Sequence, residues 1–195
     1  MSKPIVRVSR SRNPRHRERT RFEHWLIDNQ VYFITARWRD KFLAFASDEA
    51  KAVFWNRFTH YTAEAGFTPW VTTLLDNHYH TIGYLRNGKA LPQMMQGIHG
   101  SVAKLVNDLL EERRPEFWRD AKGREYFDGC IRDEKQARLA YRYTLTQGSR
   151  HGVVRDGQAY PHTRVNVELE RAVQLRAFLE GVAYKRYRDN RRPAR

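Results

Sequence analysis

Residues 67–85, FTPWVTTLLDNHYHTIGYL, constrain the fold more than any other stretch. β-branched and aromatic residues dominate it, and only Asp76-Asn77 interrupts it. It reads as two strands joined by a tight turn at 76–77, or as one long strand. Either way it belongs inside a sheet, whose apolar surface must be covered by other elements. Pro69 cannot donate to a ladder, so it belongs at a strand start or an edge.

The rest of the chain supplies the cover. Residues 30–38, QVYFITARW, predict a strand. Ser47 is placed to cap a helix with Asp48 and Glu49 in its first turn and Gly66 as its stop. Its apolar positions Ala50, Val53, Phe54, Phe58, Tyr61 and Ala65 have helical spacing. A turn at 86–89 leads to a long helix over 91–113, with Ile98, Val102, Leu105 and Leu109 forming a core stripe. A short strand over 124–131 follows. Next comes a helix over 133–147, with acids at its start and Gly148 just past its end. A last helix covers 165–184. The order β-α-β-β-α-β-α predicts an α+β domain: a ferredoxin-like, split βαβ antiparallel sheet with helices on one face.

A chain of 195 residues suffices for one core with appended arms. Cys130 is the only cysteine, which excludes an internal disulfide and a cysteine-based zinc site. No apolar run has the length of a membrane span and no apolar signal region opens the chain, so the expectation is a cytoplasmic, nucleoid-associated protein. The net charge is +14, and residues 1–21 and 185–195 together supply +12 of it. The basic side chains Arg10, Arg12, Arg15, Arg17, Arg19 and Arg21 lie in the first arm. Lys185, Arg186, Arg188, Arg191 and Arg192 lie in the second. Arginine's planar fork suits phosphate, so both arms are candidate DNA-binding segments; solvated tails are the plainer alternative.

His78 and His80 lie two apart on a predicted strand and therefore project together, with Tyr79 turned into packing. Paired imidazoles resist joint protonation and so stay available as metal ligands. Tyr143 and Gln147 are four apart on a predicted helix and share one face. Two imidazoles and an amide oxygen form a three-point set that leaves positions open for water and a phosphate oxygen, and that suits Mg²⁺ or Mn²⁺. Tyr143 beside such a metal could attack phosphorus and form a phosphotyrosine, keeping the bond energy for resealing. Tyr141 competes as nucleophile but falls on a different side of the helix. Asp76 shares the parity of the histidines and is a candidate fourth oxygen ligand.

The motif His78-Tyr79-His80, then a long helix, FWRDAKGREYFDGCIRD and YTLTQGSRHGVV, resembles the single-tyrosine HUH transposases. The REP-associated tyrosine transposases, also called IS200-like, are the most similar group. Tyr143, Gln147, Gly152, Val153 and Val154 fall in register with that family's second motif, while Asp76 and Gly148 stand where prolines are usual. HWLIDNQVYFITAR resembles the family's opening strand and YPHTRV its segment after the catalytic helix, so the likeness spans about residues 22–167.

The resemblance implies an HUH endonuclease palm over residues 22–167, between a basic arm at 1–21 and a C-terminal helix and tail at 168–195. It implies a divalent metal, Mg²⁺ or Mn²⁺, on His78, His80 and Gln147. It also implies that Tyr143 cleaves single-stranded DNA beside a hairpin through a 5′-phosphotyrosine. The expected partner is single-stranded or hairpin DNA, and the expected state is a monomer or a homodimer. Two other readings stay open. One is a domesticated module that binds hairpin or single-stranded nucleic acid without cutting it. The other is a phosphoesterase acting through water, although no Asp/Glu cluster is spaced for one.

Overall fold

A computed structural model describes residues 26–119 and 123–169. Five strands form one antiparallel sheet in the order β4-β1-β3-β2-β5: β1 (Gln30–Arg37), β2 (Phe67–Leu75), β3 (His78–Leu85), β4 (Phe127–Cys130) and β5 (Thr163–Val165). The first four follow the split βαβ order that the sequence predicts. Residues 67–85 are a hairpin rather than one long strand, and β3 is the central strand of the sheet. Pro69 lies beyond the reach of β5, beside a bulge where the β2–β3 register shifts.

Helix α1 (Asp48–Ala65) starts at Ser47, whose side chain accepts from Ala50 N. It ends at Gly66, whose φ of 68° is a left-handed conformation that glycine adopts without strain. Helix α2 (Leu91–Asn107) is shorter than predicted. Its buried stripe is Leu91, Met94, Met95, Ile98, Val102 and Val106, while Leu105 and Leu109 are exposed. The Asn107 side chain accepts from Arg114 N and donates to Arg114 O, which turns the chain back where the prediction continued the helix.

Both helices cover one face of the sheet. Tyr32, Ile34, Ala36, Tyr79 and Leu85 pack there against Phe54, Phe58, Met95 and Ile98. Each large side chain buried this way is worth about 2 kcal/mol. The expectation that all helices share that face does not hold. Helix α3 (Glu134–Leu145) lies on the opposite face, with Ala137, Ala140 and Tyr141 packed on Val71 and Ile82. The reason is the two-sided apolar character of β2 and β3, almost all of whose residues are buried or half-buried and need cover on both faces.

Three further boundaries differ from the sequence reading. The strand at 124–131 contracts to β4. Thr163–Val165, assigned above to the last helix, instead adds β5 beside β2, and helix begins only at 167. The helix of 133–147 ends at Leu145, and a short helix α4 (Gln147–Arg150) follows a break at Thr146.

Candidate nuclease site

The site occupies the sheet face under α3 and α4. Strand alternation sends Tyr79 into the α1–α2 core and leaves His78 and His80 on this face, only 2% and 3% exposed. His80 sits between Thr35 of β1 and Thr73 of β2 in the ladder. Its Nδ1 is 2.7 Å from Thr35 Oγ1. His78 Nδ1 lies 2.5 Å from Asn77 Oδ1. A carbonyl oxygen only accepts, so that bond puts the proton of neutral His78 on Nδ1 and the lone pair on Nε2.

Burial is the main cause that lowers both pKa values, to about 4 for His78 and about 3 for His80. His151 and Arg37 lower both further, His78 adds to the effect on His80, and the Gln147 amide opposes it in part at His78. Both rings are therefore neutral near pH 7 and able to ligate.

Helices α3 and α4 are docked on this face by specific polar contacts. Thr73 Oγ1 donates to the Thr144 carbonyl at 2.7 Å and lies 2.8 Å from Thr163 Oγ1, which pins the end of α3 to β2. Thr146 Oγ1 donates to Arg142 O at the helix break. Gly148 packs against Tyr160, where an added Cβ would lie 2.6 Å from Tyr160 Cβ. It is therefore a buried close-approach position rather than a residue beyond a helix end.

This docking brings together the four residues named from the sequence. Gln147 is fully buried. Its Nε2 donates to Tyr143 O at 2.9 Å, and among the described residues its Oε1 has no hydrogen-bond partner. Nor has His78 Nε2 or His80 Nε2. Those two rings are 5.0 Å apart. The Tyr143 ring stands edge-on to His80 at 5.2 Å and to Phe33 at 6.0 Å, and the residue is 38% exposed.

Three buried polar atoms with no partner among the described residues are an expensive arrangement unless something fills them. Their chemistry, two imidazole nitrogens and one amide oxygen, fits a divalent cation. Among the described residues no three His, Cys, Asp or Glu side chains form a ligating cluster, so the third donor in such a set is the amide.

Two candidates fall away. Tyr141 packs on the Val71–Ile82 core with its hydroxyl oxygen buried, which withholds that oxygen from a phosphate. Asp76 lies in the turn and pairs with Lys51 Nζ at 3.0 Å, which removes it as an oxygen ligand. The arm residues Arg10, Arg12, Arg15, Arg17, Arg19, Arg21, Lys185, Arg186, Arg188, Arg191 and Arg192 lie outside the described residues.

Four residues at the site escaped the sequence reading. Thr35 orients His80, and Arg37 pairs with His78 across the ladder. Arg150 lies with its guanidinium carbon 4.9 Å from the Tyr143 ring centroid. The His151 ring is 4.9 Å from that of His78. Arg150 and His151 follow Tyr143 by seven and eight residues, a helical repeat that could have marked them. Thr35 and Arg37 carry no such signal, because only strand pairing brings them here.

No protein-family description matches the chain. No curated protein matches it either. Among solved structures it is similar to a REP-associated tyrosine transposase bound to a REP hairpin, at 15% identity and a TM-score of 0.62, over 78% of this chain and 87% of that one. It also matches a provisionally assigned transposase of Deinococcus radiodurans R1, at 8% identity and a TM-score of 0.43, over 60% of this chain and 89% of that one. The first likeness is one of fold. No helix among the described residues is long and apolar enough to cross a membrane.

Proposed function

We propose that this chain, which has the fold of a REP-associated tyrosine transposase, is a metal-dependent single-stranded DNA nuclease and strand transferase acting near hairpin DNA. One observation carries the reading: the partnerless His78 Nε2, His80 Nε2 and Gln147 Oε1 are buried beside a half-exposed Tyr143. A domain that only bound DNA would have no use for three desolvated donors next to a phenol.

His78, His80 and Gln147 would hold Mg²⁺ or Mn²⁺. When bound, such a cation neutralises charge developing on phosphate oxygens. The Tyr143 oxygen attacks phosphorus in line with the leaving group. The bond to the 3′-oxygen breaks, that oxygen takes up a proton and departs as a 3′-hydroxyl, and the 5′-phosphate stays on Tyr143. The phenolic proton passes to solvent, which the exposure of Tyr143 permits. Attack by a 3′-hydroxyl on the phosphotyrosine reverses each of these changes and joins strands without ATP. Phe33, stacked on His80 and edge-on to Tyr143, holds both rings in place.

The test uses labelled single-stranded hairpin oligonucleotides with Mg²⁺ or Mn²⁺, resolved on a denaturing gel. The expected result is a covalent protein–DNA band that Tyr143→Phe abolishes and Tyr141→Phe keeps. DNA binding with no covalent band under either metal would leave a non-cleaving hairpin-binding module and overturn the nuclease.

A further inference from the structure

The site has an unusual charge balance. Among the described residues no carboxylate joins the His78, His80 and Gln147 donors, and Asp76, the acid nearest in sequence, is held by Lys51. A divalent cation on three neutral donors keeps its full charge. Two guanidinium groups add to it: Arg37, paired with His78 across the ladder, and Arg150, over the Tyr143 ring. Among the described residues neither makes an ion pair. Among the described residues, the groups named at this pocket are therefore all neutral or positive, and their complement is an anion.

Arg150 has the more informative position. Its guanidinium carbon lies 4.9 Å from the centre of the ring that bears the nucleophile. A cation resting on an exposed ring gains little. A phosphodiester offers the same group two charged oxygens matched to its planar fork. The backbone amide of Arg150 is tied to Thr146 O at 3.0 Å, so α4 anchors the residue while its long side chain stays exposed. A phosphorus close enough for attack by Tyr143 lies within the reach of that side chain.

We infer that Arg150 grips the phosphodiester to be cut, leaving the Tyr143 ring for the two non-bridging oxygens as DNA enters. The inference rests on the nuclease reading above and names a contact to one phosphate, distinct from the diffuse attraction of the arms. Arg37 lies at the end of β1, four residues beyond Phe33, the β1 residue whose ring meets Tyr143, so it supplies field at the His78 end of the pocket.

The test first maps the cut bond with the wild-type protein, then replaces that one phosphate with a neutral methylphosphonate. Binding is measured in a Tyr143→Phe background, which keeps the ring and prevents cleavage. Neutralising the cut phosphate is expected to weaken binding about ten- to a hundred-fold when Arg150 is present, the range of a charge-assisted hydrogen-bonded contact. With Arg150→Ala the penalty should shrink to a few-fold, and Arg150→Lys should restore part of it. In the Tyr143 protein, Arg150→Ala should slow covalent adduct formation by a similar factor while Mn²⁺ affinity and melting temperature stay unchanged. If adducts form but the methylphosphonate penalty is the same with and without Arg150, the inference is wrong and the nuclease stands. If the wild type forms no adduct, both fall.

Discussion

Gln147 donates its side-chain N–H to the Tyr143 carbonyl across 2.9 Å, so the residue proposed as the third metal donor is bonded to the backbone of the proposed nucleophile. In the proposed reaction, cation binding and nucleophile placement are thereby linked through one amide. Replacing it with Gln147→Leu, which keeps the volume, should reduce Mn²⁺ affinity at least ten-fold, as removal of one of three donors requires. Electron paramagnetic resonance titration of Mn²⁺ reads this without DNA. The hydrogen bond to Tyr143 O is lost as well, so adduct formation should fall further than the metal affinity alone explains.

Gly148 tests how tightly that amide is placed. Gly148→Ala sets a methyl 2.6 Å from Tyr160 Cβ and 3.2 Å from a Val154 methyl, and that Tyr160 atom is at the root of its side chain. Overpacking of this kind costs about 1–3 kcal/mol. Thermal melting should show that loss, and Tyr160→Gly, which deletes that Cβ, should remove most of the additional cost of the alanine when the two are combined.

The far face of the sheet predicts acid sensitivity. His99 is buried against Trp118 at 4.3 Å, with its Nε2 3.1 Å from the Tyr79 hydroxyl, and burial lowers its pKa to about 3. In the unfolded chain the same ring titrates near 6.5, so between those values the unfolded state holds the extra proton. The stability it confers is complete above pH 6.5 and is lost as the pH falls toward 3. At pH 5 the loss is about 2 kcal/mol. Denaturant melts from pH 7.5 to 4.5 should show a shallower decline for His99→Gln than for the wild type. The slope should not vanish, because His78 and His80 act in the same direction.

The arms predict a salt signature. Removing residues 1–21 takes away a net charge of +7, and removing 185–195 a net +5. Either truncation should weaken hairpin binding and reduce the slope of log affinity against log salt. Mn²⁺ affinity should be unaffected. An unchanged salt slope would remove the arms from the DNA interface.

Much of this architecture is legible in the chain because the signals are local. Ser47 and Gly66 bound α1 through their own backbone geometry, and alternation alone separates Tyr79 from its two histidine neighbours. The spacing of Tyr143 and Gln147 likewise implies a shared face, even though a helix break at Thr146 lies between them. Errors cluster where partners are distant. Helix α2 stops early because Asn107 finds Arg114, and Thr163–Val165 becomes a strand because β2 has an open edge to receive it. Asp76 shares the parity of the histidines, yet Lys51 from α1 pairs with it.

The sequence by itself determined which groups could do chemistry: two imidazoles on one side of a strand, a phenol and an amide one helical turn apart, and cationic ends. Only the tertiary structure decided that α3 and α4 cross to the face opposite α1 and α2, where Thr73 holds the Thr144 carbonyl and brings Tyr143 against His80. Periodicity records which way a side chain leaves its own element. It carries no information about which face of the sheet that element will cover, since this is set by competition among buried surfaces across the whole domain.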